Sequence, residues 1–377
     1  MASDTLEVPE KLIFDAKGDF LLIFTQESKS DAETESSSSE SGSRKRKCPD
    51  DDSKTVTMLV SSNQMILTSP VFEAMLDDDR FKEGADLLAD GQVEVDLPED
   101  DPIAFAIIAN VIHHRNKLVP EQLTLKLLTE VAILTEKYQM YEAMRWVSKQ
   151  WIQEVAPNAT DPKGYKFKDV NAIMFISLVF DDAFTFEWTT KEAIWRSKEE
   201  FGANIMDHCY FPTSVIAAIN SARAQVFSDV FAALNSFLER ETEVQSYCDD
   251  PSDVCGIMTA GSFLKSMAVN GCWPFRPEPY ENTNLKRLFR GISKIEIQTK
   301  CLVRKKAGNS GFLTTVGFAM ECKNRQMFKK MIDVQIKAIK SKIVGLDIQQ
   351  FRYKPKLLAW EGDDFTEPEP RVVVALE

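Results

Sequence analysis

Two short apolar segments near the start of the chain are separated by a long polar stretch that cannot be buried in a hydrophobic core. Residues 18–24 read GDFLLIF and residues 55–60 read TVTMLV, and both patterns are typical of buried strands. Residues 26–53 between them are rich in Ser, Asp, Glu, Lys and Arg. Such a segment buries too little apolar surface to offset the entropy lost on ordering. We therefore predict a strand hairpin with residues 26–53 as a disordered insertion at its tip, because closure entropy grows only slowly with loop length.

The rest of the first 155 residues predicts several helices and one more strand. A helix opens at Thr68-Ser69-Pro70, with Pro near its first position. Its apolar side chains share one face. We predict a short helical piece at 80–83, a strand at 92–97, and helices starting at 102 and spanning 120–138 and 140–155. Residues 157–164 contain two prolines and a glycine and indicate a domain boundary.

The second half of the chain predicts mainly helices with a few strands. The predicted helices span residues 169–180, 189–201, 213–243, 257–269 and 324–343, and the predicted strands span 292–303 and 311–321. A chain of 377 residues that is 44% hydrophobic suffices for two cores. We predict an α+β protein with domains at residues 1–155 and 156–360 and an acidic tail at 361–377.

One sequence pattern in the first half resembles a known family. Ser69-Pro70-Val71-Phe72 is followed at the expected distance by residues 97–101, LPEDD, and by Phe105. Over residues 15–155 this order resembles the BTB/POZ domain in its fungal form. The resemblance implies a small mixed sheet flanked by helices, used for self-association or for recruiting partners such as cullin-type ubiquitin ligases. Residues 61–63 read SSN where the family often carries a His.

The motifs that would indicate an enzyme are missing from the sequence. The chain has three histidines and lacks GxSxG, HExxH, GxxxxGK[ST] and GxGxxG. The N-terminus lacks the basic start and apolar stretch of a secretion signal, and the apolar runs are too short to span a bilayer. We therefore expect a non-catalytic adaptor or scaffold of the nucleus or cytoplasm, without a cofactor or a membrane partner.

Seven cysteines are scattered through the chain, and without a secretion signal we expect reduced thiols. Cys248, Cys255 and Cys301 are the candidates for a zinc site. Their spacing lacks the close CxxC pairs of a strong zinc motif, and Gln298 stands where a relative's His ligand is expected. The alternative interpretation, that these are buried apolar side chains, is favoured.

Positive charge is concentrated in two places. The tetrad Arg44, Lys45, Arg46 and Lys47 lies in the polar insertion and is typical of a nuclear-import signal. Residues 284–356 carry 18 Lys and Arg against 4 Asp and Glu, which leaves −27 on the rest of a chain whose total is −13. This segment supports a second hypothesis, a nuclear nucleic-acid-associated or transcription-related factor. Neutralisation by the acidic remainder of the chain is the alternative.

Two tryptophans, Trp146 and Trp151, lie close together in the predicted helix 140–155. One interpretation is that they close the joint with the second domain. The other is that an exposed indole anchors a partner protein, because Trp is enriched at binding hot spots.

Replacing the four residues of the tetrad by Ala should shift a fluorescently tagged full-length protein from the nucleus toward the cytoplasm. Import receptors bind such clusters through their charge. Replacing Arg44 and Arg46 by Lys, which keeps all four charges, should therefore preserve the distribution. An unchanged distribution of the Ala variant would contradict the import hypothesis.

Overall fold

The computed structural model describes residues 9–26, 54–77, 80–156, 165–202, 210–242, 254–298, 301–306, 313–319 and 323–351. They form a mixed α+β structure that is mostly helical and contains a small mixed sheet. Within these ranges no helix has the length and apolar character needed to cross a membrane. The strands are β1 (Lys11–Ile13), β2 (Phe20–Gln26), β3 (Lys54–Val60), β4 (Val93–Asp96), β5 (Cys301–Lys306) and β6 (Leu313–Ala319).

The helices of the first half are α1 (Ser62–Thr68), α2 (Pro70–Met75), α3 (Lys82–Asp90), α4 (Pro102–Ile112), α5 (Leu125–Tyr138) and α6 (Tyr141–Val155). Those of the second half are α7 (Phe167–Val179), α8 (Ala183–Arg196), α9 (Thr213–Thr242), α10 (Val254–Val269), α11 (Leu285–Ser293) and α12 (Lys323–Ser341). Short 3-10 turns lie at Asn116–Leu118 and Ile348–Gln350.

The four-stranded sheet has the order β1-β3-β2-β4. Strands β2 and β3 are antiparallel, from the pair Phe20–Val60 to the pair Gln26–Lys54, while β4 runs parallel to β2 and β1 parallel to β3. Alternate residues of β2 and β3 are fully buried, as a half-buried strand requires. The predicted hairpin is therefore confirmed, and the insertion leaves and rejoins it at one end. Residues 27–53, and with them most of the predicted disordered insertion, lie outside the described residues.

Several helices start where local signals predicted. The Ser69 hydroxyl accepts from the Phe72 N–H at 3.1 Å and starts α2. The Asp101 carboxylate accepts from the Ala104 N–H at 2.8 Å and starts α4. Helix α1 was not predicted, and α3 is longer than the piece predicted at residues 80–83.

The two halves share one hydrophobic core. Helix α7 is buried over most of its length and packs against both α5 and α8. Core residues continue from the sheet through α5 and α7 into α9. The predicted boundary at residues 157–164 lies outside the described residues, but the elements on either side of it belong to a continuous core. The division into domains at residues 1–155 and 156–360 therefore stays a prediction.

The predicted strand at residues 292–303 is wrong in its first part. Residues up to Ser293 belong to α11, whose start is capped by Asn284 accepting from the Arg287 N–H at 2.8 Å. The buried positions of α11 follow helical spacing, at Leu285, Leu288, Phe289 and Ile292. The alternating isoleucines after it are buried without forming a ladder, and the strand begins at Cys301.

A buried arginine organises the second half. Arg223 of α9 is only 2% exposed, and its guanidinium lies 5.0 Å from the centre of the Phe227 ring. It donates to carbonyl oxygens of two segments that are remote in sequence. The acceptors are Ser197 (3.3 Å) and Lys198 (3.4 Å) after α8, and Pro279 (2.9 Å), Tyr280 (2.7 Å) and Thr283 (3.0 Å) before α11.

Replacing Arg223 by Met should lower the free energy of unfolding by at least about 3 kcal/mol, because buried carbonyl groups lose their donors. Urea denaturation of the full chain measures this change. Arg290→Met, at an exposed position of α11, is the matched control and should change stability by less than about 0.5 kcal/mol. Equal effects of the two substitutions would contradict the role given to Arg223.

Candidate functional site

The two tryptophans predicted as partner-binding candidates lie in different environments. The Trp151 side chain is completely buried, and its Nε1 donates to the Pro120 carbonyl oxygen at 2.8 Å. Trp146 is 79% exposed, with the Lys149 ammonium 4.7 Å from its ring centre. Trp151 therefore has no surface to offer a partner in this fold, and partner binding by Trp146 stays a prediction. The contact between the two halves predicted for this helix is made mainly by α5 against α7.

Trp146 lies at the edge of a cleft of about 580 Å³, here called the apolar cleft. Its lining comes from three helices and the segment between α4 and α5. It comprises Gln64, Leu67, Thr68, Val111, Ile112, His114, Asn116, Val119, Pro120, Glu121, Ala143, Trp146, Val147 and Gln150. Leu67 of α1 is 80% exposed, so two large apolar side chains on different helices meet solvent at one concave surface.

Helical spacing explains why α6 lines this cleft. Its buried face carries Met144, Ser148 and Trp151. Ala143, Trp146, Val147 and Gln150 lie on the adjoining face, at intervals of three and four residues. The inner face of α6 is fixed to the core, and its outer face is thereby presented to the cleft.

Two hydrogen bonds from side chains of α6 to backbone carbonyls hold the segment before α5 in place. The bond from Trp151 to the Pro120 carbonyl lies beneath the cleft. Gln150 Nε2 also donates to the Glu121 carbonyl oxygen at 3.2 Å. Trp151 is thus a positioning residue for a wall of the cleft, a role that sequence alone did not reveal.

Hydrogen bonds hold the first residues of α1, the helix that forms one wall of the apolar cleft. The Asp19 carboxylate accepts from the Ser62 N–H at 2.8 Å and from the Ser62 hydroxyl at 2.7 Å. The Ser61 N–H donates to His113 Nε2 at 3.1 Å, and His113 Nδ1 lies 2.9 Å from the Ala109 carbonyl oxygen. His113, the residue that follows α4, therefore links the start of α1 to the end of α4.

His113 is neutral in this arrangement. Because Nε2 accepts a backbone N–H, the ring proton lies on Nδ1, which donates to Ala109. Burial lowers the pKa of His113, and this effect outweighs the opposing hydrogen bond to Ala109.

The zinc site predicted for Cys248, Cys255 and Cys301 stays a prediction. Cys255 is buried in the first turn of α10, Cys301 begins β5, and Cys248 lies outside the described residues. No cluster of three or more His, Cys, Asp or Glu suited to a metal occurs in the described part of the chain. Cys272 is also buried, and burial raises its pKa to about 11, which disfavours the thiolate.

The structure describes part of one of the two basic segments and none of the other. Arg44, Lys45, Arg46 and Lys47 lie outside the described residues. Within residues 284–351, α11 and α12 each bury an apolar face and expose Lys and Arg on the other. Phe289 and Phe328 are buried, so these rings are unavailable for stacking on bases. Nucleic-acid binding by this region stays a prediction.

Sequence reasoning missed Leu67 and His114, which line the apolar cleft with Trp146. Leu67 belongs to the apolar run at residues 65–67 near the end of α1, and this run gives no signal that one of its side chains is exposed. Comparisons with models of protein families, with curated proteins and with solved structures found no match to this chain. The site is therefore interpreted from its own geometry.

The lowered pKa of His113 predicts a specific loss of stability in mild acid. The unfolded chain takes up a proton at about pH 6.5, whereas the folded chain does so only at lower pH. Stability from the neutral ring is therefore complete above about pH 6.5 and declines as the pH falls toward the folded-state pKa.

Urea denaturation between pH 7.5 and pH 5 measures this decline. His113→Gln removes the titrating ring and should flatten the slope relative to the unsubstituted protein. His114→Asn is the control, because Asn tolerates the left-handed backbone at this position (φ 55°), and it should keep the slope. A slope that persists in His113→Gln would assign the effect to another group.

Proposed function

We propose that the N-terminal half is a BTB/POZ-like protein-interaction module whose apolar cleft binds a short peptide segment of a partner protein. The observation that carries this proposal is the exposure of Leu67 and Trp146 on two helices bordering one cleft. Exposed apolar surface gathered in one concave place is typical of interaction sites. Trp in particular contributes large binding energies.

The chemistry of the cleft favours a peptide. Gln64, Asn116 and Gln150 provide amide groups that can pair with both the donors and the acceptors of a peptide backbone. The apolar lining between them accommodates side chains. His114 and Glu121 are the titratable side chains of the lining, which holds no pairing of nucleophile and base. A binding role without catalysis is the function that this lining supports.

The arrangement around the cleft supports the family assignment within this proposal. A small mixed sheet flanked by helices is what the resemblance to BTB/POZ domains implies. The fixed helices α1, α4 and α6 offer a pre-formed surface, which lowers the entropic cost of binding. Other proteins, including a second copy of this chain, are the partners that this module would take.

Trp146→Ala should weaken partner binding about thirtyfold or more, because hot-spot tryptophans contribute at least about 2 kcal/mol. It should leave the thermal midpoint nearly unchanged, since the side chain is exposed. The measurement is affinity capture with the tagged full-length protein, with retained proteins quantified by mass spectrometry. Proteins that bind the unsubstituted protein and lose binding to the variant are the specific partners.

Phe184→Ala, at an aromatic residue that is 63% exposed on α8, is the matched control and should capture the same proteins. Trp151→Ala should instead lower the free energy of unfolding by about 3–5 kcal/mol. Dimerisation that Trp146→Ala abolishes in sedimentation experiments would identify a second copy as the occupant. Identical capture by Trp146→Ala and the unsubstituted protein would refute the proposal.

A further inference from the structure

A second cleft, of about 510 Å³, lies in the C-terminal half and is here called the basic cleft. The first turn of α7, the residues after α8 and the start of α11 enclose it. Its lining includes four cationic side chains, Lys168, Arg196, Lys198 and Lys286, and two carboxylates, Glu199 and Glu200. Positive charge therefore exceeds negative charge at this surface.

The walls of the basic cleft are held by a buried frame. Arg223 donates to the carbonyl oxygens of Ser197 and Lys198 on one wall and of Thr283 on the other. Asn284, next to Thr283, also donates through Nδ2 to the Arg196 carbonyl oxygen at 3.4 Å. The spacing between the segment after α8 and the start of α11 is thus fixed before any ligand arrives.

Three of the cations are available to a ligand. Lys168, Lys198 and Lys286 are exposed, and no carboxylate lies within ion-pair distance of them in the part of the chain that the structure describes. Lys286 does lie near Glu192, because its charge lowers the pKa of that carboxyl against the larger effect of burial. Lys168 and Lys286 also lie in the first turns of α7 and α11. The partial positive charge at the start of a helix adds to theirs, although Asp169 in the first turn of α7 offsets part of it.

A buried amide gives an independent sign of a ligand. Asn171 of α7 lines the basic cleft and is only 7% exposed. Its side-chain oxygen has no hydrogen-bond partner within the described residues. Buried polar groups are almost always paired. The oxygen is closed off from solvent in the free protein, so a donor in the cleft would complete this group once the Asn171 side chain turns toward the cleft.

We propose that the basic cleft binds a small organic phosphate that also carries a hydroxyl or amino group. The lysines meet the phosphate, and the hydroxyl or amino group donates to Asn171. The volume lies in the range of small-molecule sites. Glu199 and Glu200 at the same surface oppose a long polyanion but leave room for one phosphate group. This site is separate from the apolar cleft and does not depend on the function proposed for it.

Isothermal titration of the full-length protein tests the proposal with four probes. Adenosine 5′-monophosphate and ribose 5-phosphate carry both a phosphate and hydroxyl groups, and at least one of them should bind at millimolar concentration or below. Inorganic phosphate should bind more weakly than that probe, and adenosine, which lacks the phosphate, should not bind. If neither organic phosphate binds at millimolar concentration, the proposal is overturned.

Substitutions locate the binding. Lys198→Gln combined with Lys286→Gln should weaken binding of the organic phosphate about tenfold or more, because both remove charge-assisted hydrogen bonds. Lys337→Gln, at an exposed position of α12, is the matched control and should have no effect. Equal weakening by the control, or full affinity in the double variant, would overturn the assignment.

The amide is tested separately. Asn171→Leu keeps a similar volume and removes the unpaired acceptor, so the thermal midpoint of the free protein should hold or rise. Affinity for the organic phosphate should fall toward that of inorganic phosphate. If the Asn171→Leu variant still prefers the organic phosphate over inorganic phosphate to the same degree, the role given to Asn171 is overturned. A single-stranded oligonucleotide is the remaining probe. If it binds more tightly than the organic phosphates, and if Lys337→Gln weakens its binding as much as the double lysine variant does, the positive charge serves nucleic acid and the small-molecule site is overturned.

Discussion

Ser69 and Tyr138 join three segments of the N-terminal half at one buried point. The Ser69 hydroxyl donates to the Tyr138 carbonyl oxygen at 2.6 Å while it accepts from the Phe72 N–H. The Tyr138 ring stacks on Phe72, with centroids 4.6 Å apart, and its hydroxyl donates to Asp100. Lys137 forms an ion pair with the same carboxylate at 2.6 Å. The start of α2, the end of α5 and the segment before α4 therefore cannot shift independently.

The position of the apolar cleft follows from this junction. Helix α6 begins at Tyr141, and the turn before it places Gln139 in the left-handed region (φ 54°). Since Tyr138 is fixed, this short turn fixes where α6 starts, and Trp151 fixes its far end through Pro120. Trp146 lies between these two points on the outer face. Burial first, and then the hydrogen bond to Asp100, raise the pKa of Tyr138, so its hydroxyl keeps the proton that the junction needs.

The features that the sequence predicted correctly depend on short-range patterns. The short apolar runs of β2 and β3 and the prolines at the starts of α2 and α4 are local signals, and tertiary packing did not override them. The failures involve longer-range choices. Residues 292–303 were predicted as one strand, but Ile292 lies four residues after Leu288, and the Asn284 cap and the core place it in α11. Trp146 and Trp151 are the same residue type on one helix, and which of them is buried depends on which face of α6 packs against the core. The cleft residues from α1 could not be predicted, because their exposure depends on how two helices meet at Ser69.

The two clefts are built on one core but have separate frames. Helix α6 packs on α5, α5 packs on α7, and α7 supplies the floor of the basic cleft. A ligand in either cleft therefore stabilises the whole folded chain by mass action. For a ligand in one cleft to change the affinity of the other cleft, an element with two alternative arrangements is required. Ligands at both sites must shift the balance between those arrangements. The apolar cleft is held by bonds to Pro120 and Ser61, and the basic cleft by the bonds of Arg223. Fixed frames of this kind favour two sites that share stability while each keeps its own affinity.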